Sequence, residues 1–417
     1  MGAMLFVDLL AKCPGAKMFS DLGRATLGPA GERLGLVLQM TNFGLYLPVA
    51  LLSTAEALQN VLQPSAATCT NYFVFLVAIV CFASTQVRDL GNATTLSFVA
   101  MIASIVVAVM QLAIVATHPY TDGEPAQAMG NPEAGSTAGS VDMALGLTSC
   151  AWSYVPSILT VELAHAVGDP QELRKAIRFS VLLSGLVFIA VGLPVAAMWG
   201  TAVVDPVYIS DPWPADSAAA RVLNAFLCVA NLISYCLDSV PFCRYVQRRL
   251  DPHFSDGWRL KDCARYAMLT SPSILFAIVA AVFVGQPGGL FTMLAWVTAV
   301  TVPALNLIFP AVCTLFLRAN AESTTTANLG TPLSSAEAGA VVPTILASRP
   351  AEPQPRVVAW AVLVVGVLVL IICFYAAVGR TVIASVRGPE IIGCEGWGIY
   401  TDIPGGGFPG WNGLWSS

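Results

Sequence analysis

A run of 23 residues, Val357 to Gly379, contains no charged side chain and is bracketed by Arg356 and Arg380. About 20 apolar helical residues are enough to cross the roughly 30 Å of hydrocarbon in a bilayer. The rest of the chain is similar in character, since 56% of its residues are apolar and 11% are charged, whereas soluble domains carry about 25% charged residues. This segment therefore predicts a transmembrane helix, and the composition predicts a membrane protein.

Eight further segments approach the same length and polarity. A bilayer offers no partner to an exposed backbone polar group, so each such segment is predicted to be helical. The predicted spans are 34–62, 71–87, 95–117, 143–167, 179–202, 218–243, 266–285, 289–317 and 357–379. The expected fold class is an all-α, multi-pass membrane protein with about nine transmembrane helices.

The basic residues indicate how these spans are oriented. With nine spans, every Lys and Arg except Arg221, Arg380 and Arg387 falls on the side that carries the N-terminus. By the positive-inside rule, that side is cytosolic. The predicted organisation is a cytosolic segment at 1–33, a transmembrane domain at 34–379 with an outer loop at 118–142 and a disordered cytosolic loop at 320–356, and an outer or lumenal tail at 380–417.

Several classes of function are disfavoured. A formal charge of -5 and the absence of a dense basic cluster argue against binding of nucleic acid. The three histidines, His118, His165 and His253, lie in different segments, and the eleven cysteines form no C-x-x-C pair. No nucleophile elbow, Walker loop or H-E-x-x-H motif is present. We therefore expect no enzymatic activity, no metal site and no cofactor.

Polar and helix-breaking residues inside the spans are the candidate functional residues, because charge in hydrocarbon is costly and usually faces an internal pathway. The first group is 149–156, followed by Glu162. Pro156 removes a backbone donor, and an unwound helix there would expose backbone groups suited to a carboxylate. The alternative is an ordinary proline-kinked helix whose hydroxyl groups satisfy the freed carbonyls.

The second group is 234–241, where Asp238 is a candidate for binding a cation or carrying a proton. Its alternative is an acid at the membrane interface that is paired with Arg244 or solvated. Glu56, near the outer end of the first span, is explained equally well by a side chain that reaches the membrane surface. Asn306 is expected to bond a neighbouring helix.

The order of these motifs resembles that of the amino acid/auxin permease family. Residues 149–156, 161–163, 169–170 and 173–177 resemble the family's sixth helix and its exit into the seventh. Residues 19–28 resemble the cytosolic connection between its second and third helices. The resemblance covers most of the chain, although each motif is short.

The resemblance implies an inverted-repeat transporter of the leucine-transporter type, which moves amino acids by rocking one helix bundle against another. Its substrate would be an amino acid, and its coupling ion a proton or sodium. The implied substrate-binding residues are Ser149, Ala151, Trp152, Ser153 and Tyr154. The implied coupling or gating residues are Glu162, Ser234 and Asp238.

The chain also departs from the family pattern. If 19–28 follows the second helix, the family's first helix does not precede it, and the nine spans correspond to the third to eleventh helices. We therefore expect an N-terminally incomplete transporter fold. A non-transporting amino acid sensor or scaffold is the alternative. The plasma membrane and the vacuolar or lysosomal membrane are equally compatible with the sequence.

Overall fold

The computed structural model describes residues 2–13, 16, 18–62, 70–86, 94–117, 144, 147, 160–167, 169–199, 217–251, 260–284, 289–317 and 356–386. All secondary structure in these ranges is helical. The helices are α1 (Gly2–Lys12), α2 (Phe19–Leu62), α3 (Thr70–Ser84), α4 (Thr94–Thr117), α5 (Thr160–Val167), α6 (Pro170–Trp199), α7 (Ala218–Leu250), α8 (Leu260–Val284), α9 (Gly289–Pro303) and α10 (Arg356–Val386).

Within the described ranges, seven helices are long and apolar enough to cross a membrane, and a shorter apolar helix covers Asn71–Ser84. The prediction of an all-α, multi-pass membrane fold is confirmed. The predicted span at 143–167 is described only at 144, 147 and 160–167. Since a helix can extend beyond the bilayer, the start of α2 at Phe19 does not test the predicted membrane boundary at 34.

Local signals explain where two of the long helices begin. The Ser217 hydroxyl accepts a hydrogen bond from the backbone N–H of Ala220, at 3.1 Å, and so caps the N-terminus of α7. The carboxylate of Asp169 accepts one from the backbone N–H of Gln171, at 2.8 Å, at the start of α6. These side chains satisfy backbone N–H groups that the first turn of a helix leaves without a helical partner.

α2 contains a sharp bend at Gly28, whose φ of 68° and ψ of −154° divide the helix into arms 19–27 and 29–62. A positive φ is accessible to glycine at little steric cost. A Cβ atom at Gly31 would overlap the backbone carbonyl of Gly23. The first arm therefore folds back along the second, and glycine allows the two backbones to touch.

Seven of the described helices pack in two groups, while α9 packs against α10 and α2. The first consists of α2, α3, α7 and α8, which share the largest buried apolar cluster, with Leu51, Val77 and Ala277 among its members. The second consists of α1, α5 and α6, and α1 also contacts the turn that follows α9. α1 also meets the first arm of α2, where the rings of Phe6 and Phe19 lie edge to face with centroids 4.8 Å apart. α4 links the groups, since it contacts both α7 and α6.

α1 is buried on nearly every side, although it carries an acid. The side chains of Leu5, Phe6 and Leu9 are at most 1% exposed. Asp8 forms an ion pair with Arg174 at the start of α6. Because removing one partner of a largely buried pair leaves an uncompensated charge, this pair holds α1 against α6.

A π-helical turn, Ala304–Ile308, separates α9 from the α-helical residues 309–317. The backbone N–H of Phe309 donates to the carbonyl of Ala304, five residues earlier. Pro310 has no N–H, so it cannot donate to the carbonyl of Asn306 as an α-helical residue at that position would. That carbonyl lies against Gly2 so closely that a Cβ atom at Gly2 would overlap it. The turn is therefore a contact point for α1.

α4, α6 and α10 form the periphery of the described structure. Only 6% of the apolar window of α6 is buried inside the protein, compared with 50% of that of α2. Large apolar side chains such as Leu182, Ile189 and Leu193 point outward from α6. In a bilayer these side chains contact lipid.

Candidate functional site

α2 and α7 form the most extensive contact between described helices, and polar side chains follow its length. Residues seven apart lie on nearly the same face of a helix. On α7 this spacing aligns Asn224, Asn231 and Asp238, and on α2 it aligns Tyr46 and Ser53. We call the contact formed by Tyr46, Ser53, Asn231, Ser234 and Asp238 the polar seam.

The polar seam is held by hydrogen bonds that join the two helices. The Asn231 side-chain amide donates to the Ser53 hydroxyl at 2.8 Å. About two turns further along α2, the Tyr46 hydroxyl is hydrogen-bonded to both Ser234 and Asp238. The contacts advance toward lower numbers on α2 as they advance toward higher numbers on α7, so the two helices are antiparallel.

A second polar contact joins α2 to α9. The Thr301 hydroxyl donates to the side-chain oxygen of Asn42 at 2.6 Å, and both residues are buried. Gln39, one turn earlier on α2, is also fully buried. The polar side chains of α2 thus continue beyond the seam into the centre of the bundle.

The seam differs in exposure from the apolar residues beside it. Each of its five side chains is partly exposed, whereas Tyr235, Leu47 and Leu51 on the same two helices are at most 1% exposed. A partly exposed side chain inside a helix bundle borders open space, not packed atoms. The polar seam is therefore not fully closed over by packed side chains, and we call its open side the crevice.

Asp238 has a specific environment within the seam. Among the described residues, no Lys, Arg or His side chain forms an ion pair with it, and its hydrogen-bond partner is the Tyr46 hydroxyl. Arg244, the partner considered from the sequence, donates to the Gln247 side chain at 3.4 Å. The phenol is therefore the group that the structure places against this carboxylate.

The structure brings some of the predicted site residues together. Ser234 and Asp238 meet at Tyr46, as described above. Glu162 lies in α5, but its side chain is outside the part of the protein that the structure describes. The same holds for the whole predicted substrate stretch, Ser149, Ala151, Trp152, Ser153 and Tyr154. The roles assigned to all eight residues stay predictions.

Sequence reasoning missed Tyr46, Ser53 and Asn231. The available signal was the seven-residue spacing of polar residues in two separate spans, which indicates one polar face on each helix. The described residues contain no group of three or more His, Cys, Asp or Glu side chains arranged to hold a metal ion.

An all-helical bundle with seven candidate spans and a polar contact between its two central helices is the architecture of a multi-pass membrane protein with a polar interior. The family model for the transmembrane amino acid transporter protein matches residues 1–332, and the chain belongs to that family. This confirms the resemblance seen in the sequence. No curated protein is significantly similar to the chain.

Proposed function

We propose that the protein is a secondary active transporter that moves amino acids across a membrane, driven by a proton or sodium gradient. The observation that carries this proposal is the family match over residues 1–332. The crevice along the polar seam supports it, since transport needs a polar surface inside an apolar bundle. The family match supports a transport role.

The substrate would bind at the helix break predicted from the sequence. Backbone groups of an unwound segment suit the carboxylate and amine of an amino acid. We propose Ser149, Ala151, Trp152, Ser153 and Tyr154 as its contacts. Glu162, Ser234 and Asp238 would couple or gate the movement.

The packing supports a rocking motion for this transport cycle. α1, α5 and α6 share one set of contacts, while α2, α3, α7 and α8 share another. Since the polar seam lies between α2 and α7, movement of α1, α5 and α6 relative to these helices would open or close access to it. The membrane concerned would be the plasma membrane or the vacuolar or lysosomal membrane.

Uptake of labelled amino acids into proteoliposomes tests the proposal. We expect accumulation when an inward proton or sodium gradient is imposed. Trp152→Ala should abolish uptake, and Trp360→Ala is the matched control, since Trp360 is 57% exposed on α10. Saturable binding without transport would instead support an amino acid sensor or scaffold, and absence of both would overturn the proposal.

A further inference from the structure

The environment of Asp238 bears on which ion drives transport. An ionised carboxylate inside an apolar bundle is costly unless it is paired or becomes neutral. Because no described cationic side chain pairs with Asp238, any step that dehydrates the seam would leave its charge to be offset by a bound cation or removed by a proton. The groups around it distinguish these two cases.

The partner of Asp238 favours a proton. The Tyr46 hydroxyl donates a hydrogen bond to the carboxylate, so a donor hydrogen, not a lone pair, points at it. Hard cations prefer a shell of several oxygen ligands with free lone pairs. A phenol that donates to the carboxylate competes with such a cation, but it can remain hydrogen-bonded to a protonated acid.

The other ionisable groups near Asp238 carry no charge at neutral pH. Tyr46 of α2 contacts Asp238, Cys81 of α3 lies beside Cys236 of α7, and α4 contains no ionisable residue. Glu56 of α2 is ten residues from Tyr46, and the ionisable residues of α8 lie at 261–266, at least seven residues before the Ser273 contact with α7. Tyr and Cys side chains are normally protonated at pH 7. Among these described groups, Asp238 is therefore the one beside Tyr46 that can change charge during a transport cycle.

We propose that Asp238 binds and releases the coupling proton, and that Tyr46 is the positioning residue that holds its carboxylate toward the crevice. The proposal rests on the transport function proposed above and deepens it. The proton would reach Asp238 through the crevice that Tyr46, Ser234 and Asp238 border, since all three are partly exposed. Asn231 and Ser53 continue the polar surface about two turns further along the seam.

The test separates proton coupling from substrate movement in proteoliposomes. Exchange of labelled for unlabelled amino acid without a gradient reports binding and alternating access, whereas accumulation under an inward proton gradient reports coupling. We expect Asp238→Asn to retain exchange and to lose proton-driven accumulation. Glu172→Gln is the matched control, since Glu172 is an exposed acid on α6, and it should retain both.

Tyr46→Phe tests the positioning role. It removes the donor to the ionised carboxylate, so the pH midpoint of proton-driven uptake should move upward by about one unit. Tyr72→Phe, which changes a tyrosine that is 65% exposed on α3, should leave the midpoint unchanged. An unchanged midpoint in Tyr46→Phe would overturn the role of Tyr46.

Two further outcomes complete the test. Normal proton-driven accumulation by Asp238→Asn, or accumulation by the wild type that follows only a sodium gradient, would overturn the proton site. If the wild type neither exchanges nor accumulates any amino acid, the transport function itself fails. Infrared titration of the purified protein then still decides the proton site: a carboxyl band that titrates in the wild type and is absent from Asp238→Asn supports it, and no such difference overturns it.

Discussion

α7 and α6 are both long helices, but α7 packs against other helices inside the bundle, whereas α6 lies at its periphery. In α7, 39% of the apolar window is buried, and the helix carries Asn224, Asn231 and Asp238 on one face. In α6 only 6% is buried, and the part after Arg178 carries no charged residue. The contrast shows that uninterrupted apolarity identifies a membrane span, whereas interruptions of that apolarity identify the side that faces the protein interior.

The largest difference in stability between the bundle interior and α6 is expected when a leucine is truncated to alanine. Leu51→Ala removes a side chain that is fully buried between α2 and its neighbours, and should lower the free energy of unfolding by about 2–5 kcal/mol. Leu182→Ala on α6, where the side chain is 63% exposed, should change it little, since lipid fills the space. Unfolding in mixed micelles with increasing SDS measures both, and equal losses would contradict the contrast.

Substitution of glycine should give effects of opposite sign. Gly31→Ala places a Cβ atom against the Gly23 carbonyl and should cost about 1–3 kcal/mol. Gly192→Ala on α6 meets nothing within 4 Å and should raise stability by about 0.5–1 kcal/mol, because alanine is the better helix former. Melting temperatures in detergent test this prediction; destabilisation by both would show that α6 is packed more tightly than the structure indicates.

A double-mutant cycle on Ser53 and Asn231 should give a smaller effect. Side-chain hydrogen bonds between membrane helices contribute about 0.6 kcal/mol on average, so the coupling between Ser53→Ala and Asn231→Ala should be of this size. Ser104→Ala is the control, since its hydroxyl bonds within its own helix, to the carbonyl of Ala100. It should show no coupling to Asn231→Ala, and zero coupling for Ser53 as well would remove the hydrogen bond as a contributor to the seam.

The smallest effect is expected for Lys175→Gln on α6. Lys175 forms an ion pair with Glu172 at 2.8 Å, but both side chains are well exposed, so water screens the interaction. The melting temperature should not change measurably. A decrease as large as that of Asn231→Ala would show that the surface of α6 contributes to the fold in a way that its exposure does not indicate.

The helices could be predicted from the sequence because a bilayer imposes one strong physical rule. Backbone groups must be satisfied within each segment, so stretches such as 357–379 and 179–202 predict helices directly. Asp238 could be identified as a candidate for the same reason, since an acid in such a stretch is costly. These predictions need only local composition and no knowledge of neighbouring helices.

The hydrogen-bond partner of Asp238 could not be predicted in this way. Whether Tyr46 or another residue of α2 faces it depends on the axial offset between two antiparallel helices, which packing across the whole interface sets. The burial of α1 has a similar origin, because Asp8 is tolerated there through its pairing with Arg174, 166 positions away. Contacts between distant segments are properties of the tertiary structure and leave little local trace.

The π-helical turn at Ala304–Ile308 makes a single helix serve two different neighbours. A turn closed over five residues holds one residue more than an α-helical turn, and one residue corresponds to about 100° of rotation around the axis. Before the turn, Ala295 and Ala299 pack against α10, and after it Phe309 and Cys313 pack against α1. The extra residue therefore sets which side of residues 309–317 faces α1. Deleting it should keep these residues helical but rotate Phe309 and Cys313 away from α1.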